Sequence, residues 1–263
     1  MTEKKTSGRH RSLAAVVFVL LACASVCGKQ ISGSVASSSN GRLRVLFIGN
    51  SFTYTNDLPS VVGALAEATE QKRFVYKAVV GAGYSLEDHW NRADARKAIA
   101  EGVWDVVILQ QGPSASTDGR AYLLEYTQRF ATEIRRVGAK TALYMVWPST
   151  NRRRDFDGVS ESYRLAAEQV KGMLFPVGEA WRAAWRRDAS LALYSADGLH
   201  PTMLGTYLAA LVIYEQLYGR PPAALLKNFK LRTGNDERIE LSQRESETLL
   251  SAAREANEKF GRR

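Results

Sequence analysis

Three side chains in this sequence have the types needed to activate a hydroxyl for attack: Ser51, Asp197 and His200. A serine hydroxyl is a poor nucleophile at neutral pH. It needs a neighbouring base to take its proton and a third group to orient that base. Ser51 lies in Phe47-Ile48-Gly49-Asn50-Ser51-Phe52-Thr53, directly after an apolar run that reads as a strand. Asp197-Gly198-Leu199-His200-Pro201 sets a carboxylate three residues ahead of an imidazole, so one short turn can carry both. Such a carboxylate fixes the ring tautomer and stabilises the imidazolium formed during attack. The chain has three histidines; His10 falls in a leader segment and His89 in an expected helix, which leaves His200 as the expected base. Each motif also has a plainer reading. A serine after a strand is commonly a helix cap, and Asp197 can cap its own turn with His200 as a partly buried filler.

These groups must be positioned by the alternation of strand and helix signals between them. Strands are expected over Arg42 to Gly49, Phe74 to Val80, Trp104 to Leu109, Thr141 to Trp147 and Met173 to Val177. The run Val106-Val107-Ile108-Leu109 is apolar throughout, as in a parallel sheet covered on both faces. Helices are expected over Asp57 to Gln71, Leu86 to Glu101, Arg120 to Val137, Ser160 to Lys171, Ala180 to Arg187, Thr202 to Tyr218 and Ser242 to Phe260. Pro201 fits the first helical position of the segment after His200. The alternation predicts an α/β protein, a three-layer α/β/α sandwich around a central, mostly parallel five-stranded sheet. In such sheets functional groups lie just past the carboxyl ends of the strands. Ser51, Gly81, Gly83, Gln110, Gln111 and Trp147 all fall there.

Composition sets the outer bounds. The chain has 263 residues, is 45% hydrophobic and 24% charged, and carries a formal net charge of +9. Those values suit one globular α/β domain plus a targeting segment. The local cluster Arg152-Arg153-Arg154 reads as a solvated surface, or as a site for an anionic substrate or envelope surface. No basic stripe with interleaved aromatics is present, so no nucleic-acid partner is expected. Basic residues Lys4, Lys5, Arg9 and Arg11 precede the apolar stretch Leu13 to Ala22. That stretch falls short of the roughly 20 residues that span a bilayer and has the layout of a secretory signal. Leu20-Leu21-Ala22-Cys23 favours a lipoprotein signal over residues 1–23, with Cys23 as the lipidated residue and the only membrane attachment. Ala22-Cys23-Ala24 alternatively satisfies an ordinary secretory cleavage site. Residues 24–41 then read as a flexible tether and 42–263 as the functional domain. The expected location is outside the cytoplasm, in a bacterial periplasm or on the outer membrane, or secreted. The two cysteines, Cys23 and Cys27, both belong to this leading region. A thiol nucleophile, a disulfide-stapled body and a cysteine zinc site are thereby excluded.

In chain order the pattern runs Gly-Asn-Ser after the first strand, a glycine turn after the second, amides after the third, and Asp-x-x-His before the last major helix. This resembles the SGNH hydrolases, the GDSL-type esterase and lipase superfamily with a flavodoxin-like fold. The branch it looks most similar to has a first block reading Gly-Asn-Ser-Phe-Thr, here Gly49 to Thr53. The resemblance covers about Arg42 to Gly219. It implies Ser51 as nucleophile and oxyanion donor, His200 as base, Asp197 as its partner, and Gly83, or alternatively Gly81, as a second oxyanion donor. The family's third block usually offers Gly-x-Asn, whereas this chain has Gln111-Gly112-Pro113-Ser114. Gln111 is the expected replacement donor, with Gln110 or Ser114 as alternatives. Tyr54, Tyr84, Trp90 and Trp147 are candidates for a substrate pocket, against the commoner role of core or rim aromatics.

The resulting expectation is an exported serine esterase acting on a small-molecule or glycan ester, with carbohydrate O-deacetylation in view and no cofactor or metal. A non-catalytic glycan- or lipid-binding module on the same fold is the rival. A dinucleotide-binding protein is disfavoured, because Leu86 stands where the glycine fingerprint needs its third glycine.

Overall fold

The computed structural model describes residues 41–69, 71–222, 230–232 and 238–261. The expected leader, the tether up to residue 40 and Cys23 lie outside the described residues. Five strands, β1 (Arg42–Gly49), β2 (Arg73–Val80), β3 (Val106–Leu109), β4 (Lys140–Tyr144) and β5 (Met173–Phe175), pair in the order β2-β1-β3-β4-β5. All four pairings are parallel. A parallel sheet needs covered faces, which is why Val45 to Ile48 and Val106 to Leu109 are buried along their whole length. A two-stranded antiparallel ribbon, β6 (Lys230–Arg232) with β7 (Arg238–Glu240), stands apart from the sheet and was not expected from the sequence.

The crossovers sort into two helical layers. On one side α2 (Leu58–Ala68), α7 (Val177–Arg187), α8 (Met203–Tyr218) and α9 (Gln243–Phe260) pack together. On the other lie α3 (Leu86–Arg92), α4 (Asp94–Glu101), α5 (Thr117–Arg136) and α6 (Phe156–Val170). A single-turn helix, α1 (Ser51–Tyr54), joins β1 to α2. Helix α8 is buried all round from Gly205 to Gln216, because it lies between its neighbouring helices and the sheet. At ~1.5–3 kcal/mol for each fully buried Leu, Val or Ile, this helix is a fixed base for the loop that precedes it.

The three-layer architecture matches expectation; several element boundaries do not. The segment expected as one helix from Leu86 to Glu101 is two, broken at Ala93, whose φ of 67° is left-handed. Alanine there costs roughly 1–2 kcal/mol. Burial of Ala95, Ala98 and Ile99 beyond the break offsets it. Helix α5 starts earlier than Arg120 because the Ser116 hydroxyl accepts from Gly119 N–H as an N-cap. A 3₁₀ turn, Thr150–Asp155, leads into α6 at Phe156 rather than Ser160. Pro201 is not the first residue of α8. It pairs with Tyr194 in an isolated antiparallel bridge, and Thr202 caps the helix instead.

This strand order places the site. From β1 the chain leaves to β2 on one side and reaches β3 on the other, so the crevice between diverging crossovers opens past the ends of β1 and β3. Ser51 and Gln111 are the residues found there.

Candidate active site

The turn carrying Ser51 is locked before the serine is reached. Asn50 caps α1, its Oδ1 accepting from Phe52 N–H at 3.1 Å. Behind it sits Gln110, fully buried, with its whole amide engaged. Gln110 Oε1 accepts from Asn50 N–H at 2.9 Å and from the Thr53 hydroxyl at 2.8 Å. Gln110 Nε2 donates to Asn50 Oδ1 and to the Gln111 carbonyl, both at 2.8 Å. Gly49 is required for this packing, since a Cβ there would lie 2.3 Å from Gln110 Oε1. The Gly49 carbonyl is held in turn by His89 Nε2 at 2.8 Å and by Gly81 N–H at 3.2 Å. His89 is buried, and desolvation lowers its pKa from the ordinary imidazole value, which keeps it a neutral donor.

The second half of the site is the loop from Ser195 to Thr202. Ser195 N–H donates to the His200 carbonyl at 2.8 Å and Thr202 N–H to the Leu193 carbonyl at 2.9 Å, closing it as a small bridge. Gly198 needs its φ of 68°, and Thr150 N–H donates to its carbonyl at 2.8 Å. Trp147 Nε1 donates to the Leu199 carbonyl at 3.0 Å. Asp197 spends its two oxygens differently. Oδ1 accepts from the Ser195 hydroxyl, Leu199 N–H and His200 N–H at 2.7, 2.8 and 2.9 Å. Oδ2 faces His200 Nδ1 at 2.5 Å. The hydrogen bond with His200, then those from Leu199 N–H and Ser195, hold the Asp197 carboxyl well below the usual carboxylate range. An ionised carboxylate only accepts, so the neutral ring carries its proton on Nδ1 and offers a lone pair on Nε2.

That lone pair meets the serine. His200 Nε2 lies 2.8 Å from Ser51 Oγ, across 149 positions of sequence. The serine, imidazole and carboxylate therefore form one continuous hydrogen-bonded chain with the polarity needed to deprotonate the hydroxyl. Ser51 opens into a cleft of about 640 Å³ that also reaches Gly83, Tyr84, Gln111 and Ser114. Among the described residues, neither Ser51 N–H nor Gly83 N–H donates to a protein acceptor. Gly83 has a φ of 70°, and Gly81, the alternative donor, has its N–H committed to Gly49.

No family model and no curated protein matches this chain. Solved structures do. A candidate SGNH hydrolase from Slackia heliotrinireducens is 27% identical, with a TM-score of 0.56 over 66% of this chain and 98% of that one. A protein of the DUF4886 family from Bacteroides uniformis is 20% identical, with a TM-score of 0.64 over 83% of this chain and 95% of that one. A catalytic mutant of an acetylxylan esterase from Geobacillus stearothermophilus is 18% identical, with a TM-score of 0.53 over 68% of this chain and 95% of that one. The chain has the fold of the SGNH hydrolases.

The third block of the SGNH pattern is built differently from expectation. Gln111 Nε2 donates to Ser114 Oγ at 2.8 Å and towards the Gly119 carbonyl at 3.5 Å, while its Oε1 accepts from Leu86 N–H at 3.1 Å. The Gln111 amide thus braces the cleft wall instead of pointing a free N–H at a substrate oxygen. Gln110 is saturated behind Asn50, and the Ser114 hydroxyl donates to the Gly112 carbonyl at 3.0 Å. Of the aromatic candidates only Tyr84 lines the cleft at Ser51. Tyr54 is exposed and does not line it. Trp90 packs edge-on against Phe130 at 5.2 Å beneath Arg96. Trp147 is fully buried, stacked on Trp181 at 3.6 Å. Sequence reasoning missed Tyr122 and Glu87, both in the cleft wall. It also missed His89 and Gln110 as braces of the serine turn. A buried amide next to a Gly-Asn-Ser turn was the available signal for Gln110; helical spacing hid the others.

Proposed function

We propose that this chain is a serine hydrolase of carboxylic esters. What carries the reading is the 2.8 Å contact of His200 Nε2 with Ser51 Oγ, backed by Asp197 at 2.5 Å from Nδ1. Ser51 Oγ attacks the ester carbonyl carbon while its proton passes to His200 Nε2. The carbonyl oxygen becomes an oxyanion facing the unengaged N–H groups of Ser51 and Gly83. Loss of one such donor typically costs on the order of 100- to 1,000-fold in rate. The tetrahedral intermediate collapses, the C–O bond to the alcohol breaks, and His200 returns the proton to the leaving oxygen. Water, deprotonated by the same imidazole, then cleaves the acyl-enzyme and regenerates the Ser51 hydroxyl.

For the substrate we infer a short acyl group on a carbohydrate. Three features of the cleft support this. It is broad, with about 640 Å³ bounded by Ser85, Ser116 and Ser149. Tyr122, 47% exposed, turns a ring towards solvent there, stacked over Tyr126 with centroids 6.5 Å apart. Glu87 lines the same wall and accepts from the Tyr126 hydroxyl at 2.7 Å, leaving its other oxygen for sugar hydroxyls. Export, with Cys23 as a lipid anchor, is proposed on the leader sequence and agrees with an envelope or extracellular glycan as substrate.

A fluorophosphonate probe tests the chemistry. Labelling of the wild type at Ser51, absent in Ser51→Ala and His200→Ala variants of unchanged melting temperature, is the expected result. Well-folded wild type that takes no label would instead make this a binding module. Hydrolysis of acetylated oligosaccharides against p-nitrophenyl esters of increasing chain length then tests the substrate class.

A further inference from the structure

The proposed chemistry depends on two segments from opposite ends of the chain staying in register to within a few tenths of an ångström. Each is braced locally, the serine turn by Gln110 and the histidine loop by Asp197, Thr150 and Trp147. Between the two segments the Phe52 ring, next to the serine, packs against Trp147 at 5.2 Å and against His200 at 6.1 Å, apolar contacts that lack the directionality of a hydrogen bond. A polar link other than the Ser51–His200 contact spans the same gap, and it comes from Asn56. Its Nδ2 donates to the Pro201 carbonyl at 3.1 Å and to the Thr206 hydroxyl at 3.0 Å.

The placement of this amide is costly, and that is informative. Asn56 sits at φ 55°, ψ 22°, and the next residue, Asp57, at φ 47°, ψ 56°. Both are left-handed, a region that L residues other than glycine rarely occupy and that asparagine tolerates best. Strained backbone of this kind persists where the surroundings over-determine it, commonly at functional sites. The strain turns the chain out of α1 through a short 3₁₀ segment, Thr55–Asp57, that faces α8. Pro201 has no N–H of its own, so the bridge bonds of the histidine loop run through its neighbours, Ser195 to His200 and Thr202 to Leu193. The Pro201 carbonyl, one residue past the base, is held by Asn56. Thr206, the second anchor, is 1% exposed on α8, the most deeply packed helix of its layer.

We propose that Asn56 is a positioning residue of this site: its amide clamps the Pro201 carbonyl and the Thr206 hydroxyl and so sets the separation of Ser51 Oγ and His200 Nε2. The inference rests on the esterase reading for its effect on rate, and on geometry alone for its effect on distance. Without the amide the carbonyl beside His200 turns to water, the loop relaxes, and the proton-transfer distance lengthens. Misplacement by about 1 Å can cost roughly 100-fold.

The test uses Asn56→Gly, which keeps the backbone conformation and removes the amide, and Thr206→Val, which removes one acceptor. With p-nitrophenyl acetate, Asn56→Gly should lower kcat by about 10- to 100-fold with KM within about twofold, and should slow fluorophosphonate labelling by the same factor. Thr206→Val should lose less, and the double variant no more than Asn56→Gly alone. A crystal structure of Asn56→Gly reads the clamp without turnover. Separation of Ser51 Oγ from His200 Nε2 beyond hydrogen-bond reach is expected. The proposal is overturned if that contact stays at its wild-type length, or if the variant melts earlier yet keeps wild-type kcat and labelling rate well below its melting temperature. Should Asn56→Gly not fold, the same criteria apply to Thr206→Val. Wild type that takes no label refutes the esterase reading, and the crystallographic distance still judges the clamp.

Discussion

Replacing Asp197 by asparagine separates the orienting role of the carboxylate from its structural one. The two oxygens do different work, three donors converging on Oδ1 and His200 Nδ1 alone meeting Oδ2. An asparagine can enter this pocket in two orientations. With its NH2 in the Oδ1 position it would face Leu199 N–H and His200 N–H, donor against donor, forfeiting bonds that cost about 1–3 kcal/mol each to leave unmade. The side chain therefore adopts the opposite orientation. Its carbonyl keeps the loop bonds and its NH2 is presented to His200 Nδ1. The ring must then accept at Nδ1 and carry its proton on Nε2, the atom that should receive the proton of Ser51. In a triad of this kind, locking the wrong tautomer lowers kcat on the order of 10,000-fold, or ~5 kcal/mol of transition-state stabilisation. Since the loop bonds survive, the melting temperature should change little. Asp197→Ala removes the loop bonds as well and should lower it. Purified variants would be compared by p-nitrophenyl acetate hydrolysis, fluorophosphonate labelling rate and thermal unfolding. An Asp197→Asn protein within tenfold of wild-type kcat would refute the tautomer argument. One that unfolds as readily as Asp197→Ala would refute the division of labour between the two oxygens.

Other consequences concern the braces behind the serine. Gln110→Leu strands Asn50 N–H and the Thr53 hydroxyl in the core, at ~1–3 kcal/mol each. Urea unfolding should lose about 2–6 kcal/mol, and a loss under 1 kcal/mol would show that Gln110 is not the support inferred here. His89 stays neutral in the folded protein, whereas the unfolded chain takes up a proton as pH falls through about 6.5. Its contribution to stability is thus complete above that pH and declines below it, towards its depressed folded value. His89→Gln can keep a donor for the Gly49 carbonyl without titrating, so its melting temperature should fall less between pH 7.5 and pH 5 than that of wild type. Equal slopes in the two proteins would rule out His89 as a source of acid sensitivity.

The parallel sheet and the serine were legible for the same reason. Runs such as Val45 to Ile48 and Val106 to Leu109 have one physical use, burial between two helical layers, and a polar Gly-Asn-Ser at the end of such a run must emerge at the sheet's edge. Asp197 and His200 were legible because their spacing lets one turn hold both. Local signals failed where a long-range contact overrode them. Helical periodicity runs straight through Ala93, where the backbone turns left-handed to begin a new helix. Pro201 has the properties of a first helical residue, yet its carbonyl is wanted by Asn56 and its backbone by Tyr194. Gln111 and Gln110 are equivalent by type and neighbourhood. Which of them faces the cleft, and what each amide grips, follows from the partners that β1, α3 and α5 bring to them.

Taken by itself, the order of residues determined which chemistry is available to this protein, a hydroxyl, an imidazole and a carboxylate on turns at strand or helix ends, because side-chain identity and periodicity are local properties. Only the tertiary structure decided that these groups touch and that Trp147 is a pillar rather than a pocket wall. Only it showed that an amide just past the serine holds the histidine loop, because distances between segments far apart in the chain are set by the packing of the whole sheet and its two layers.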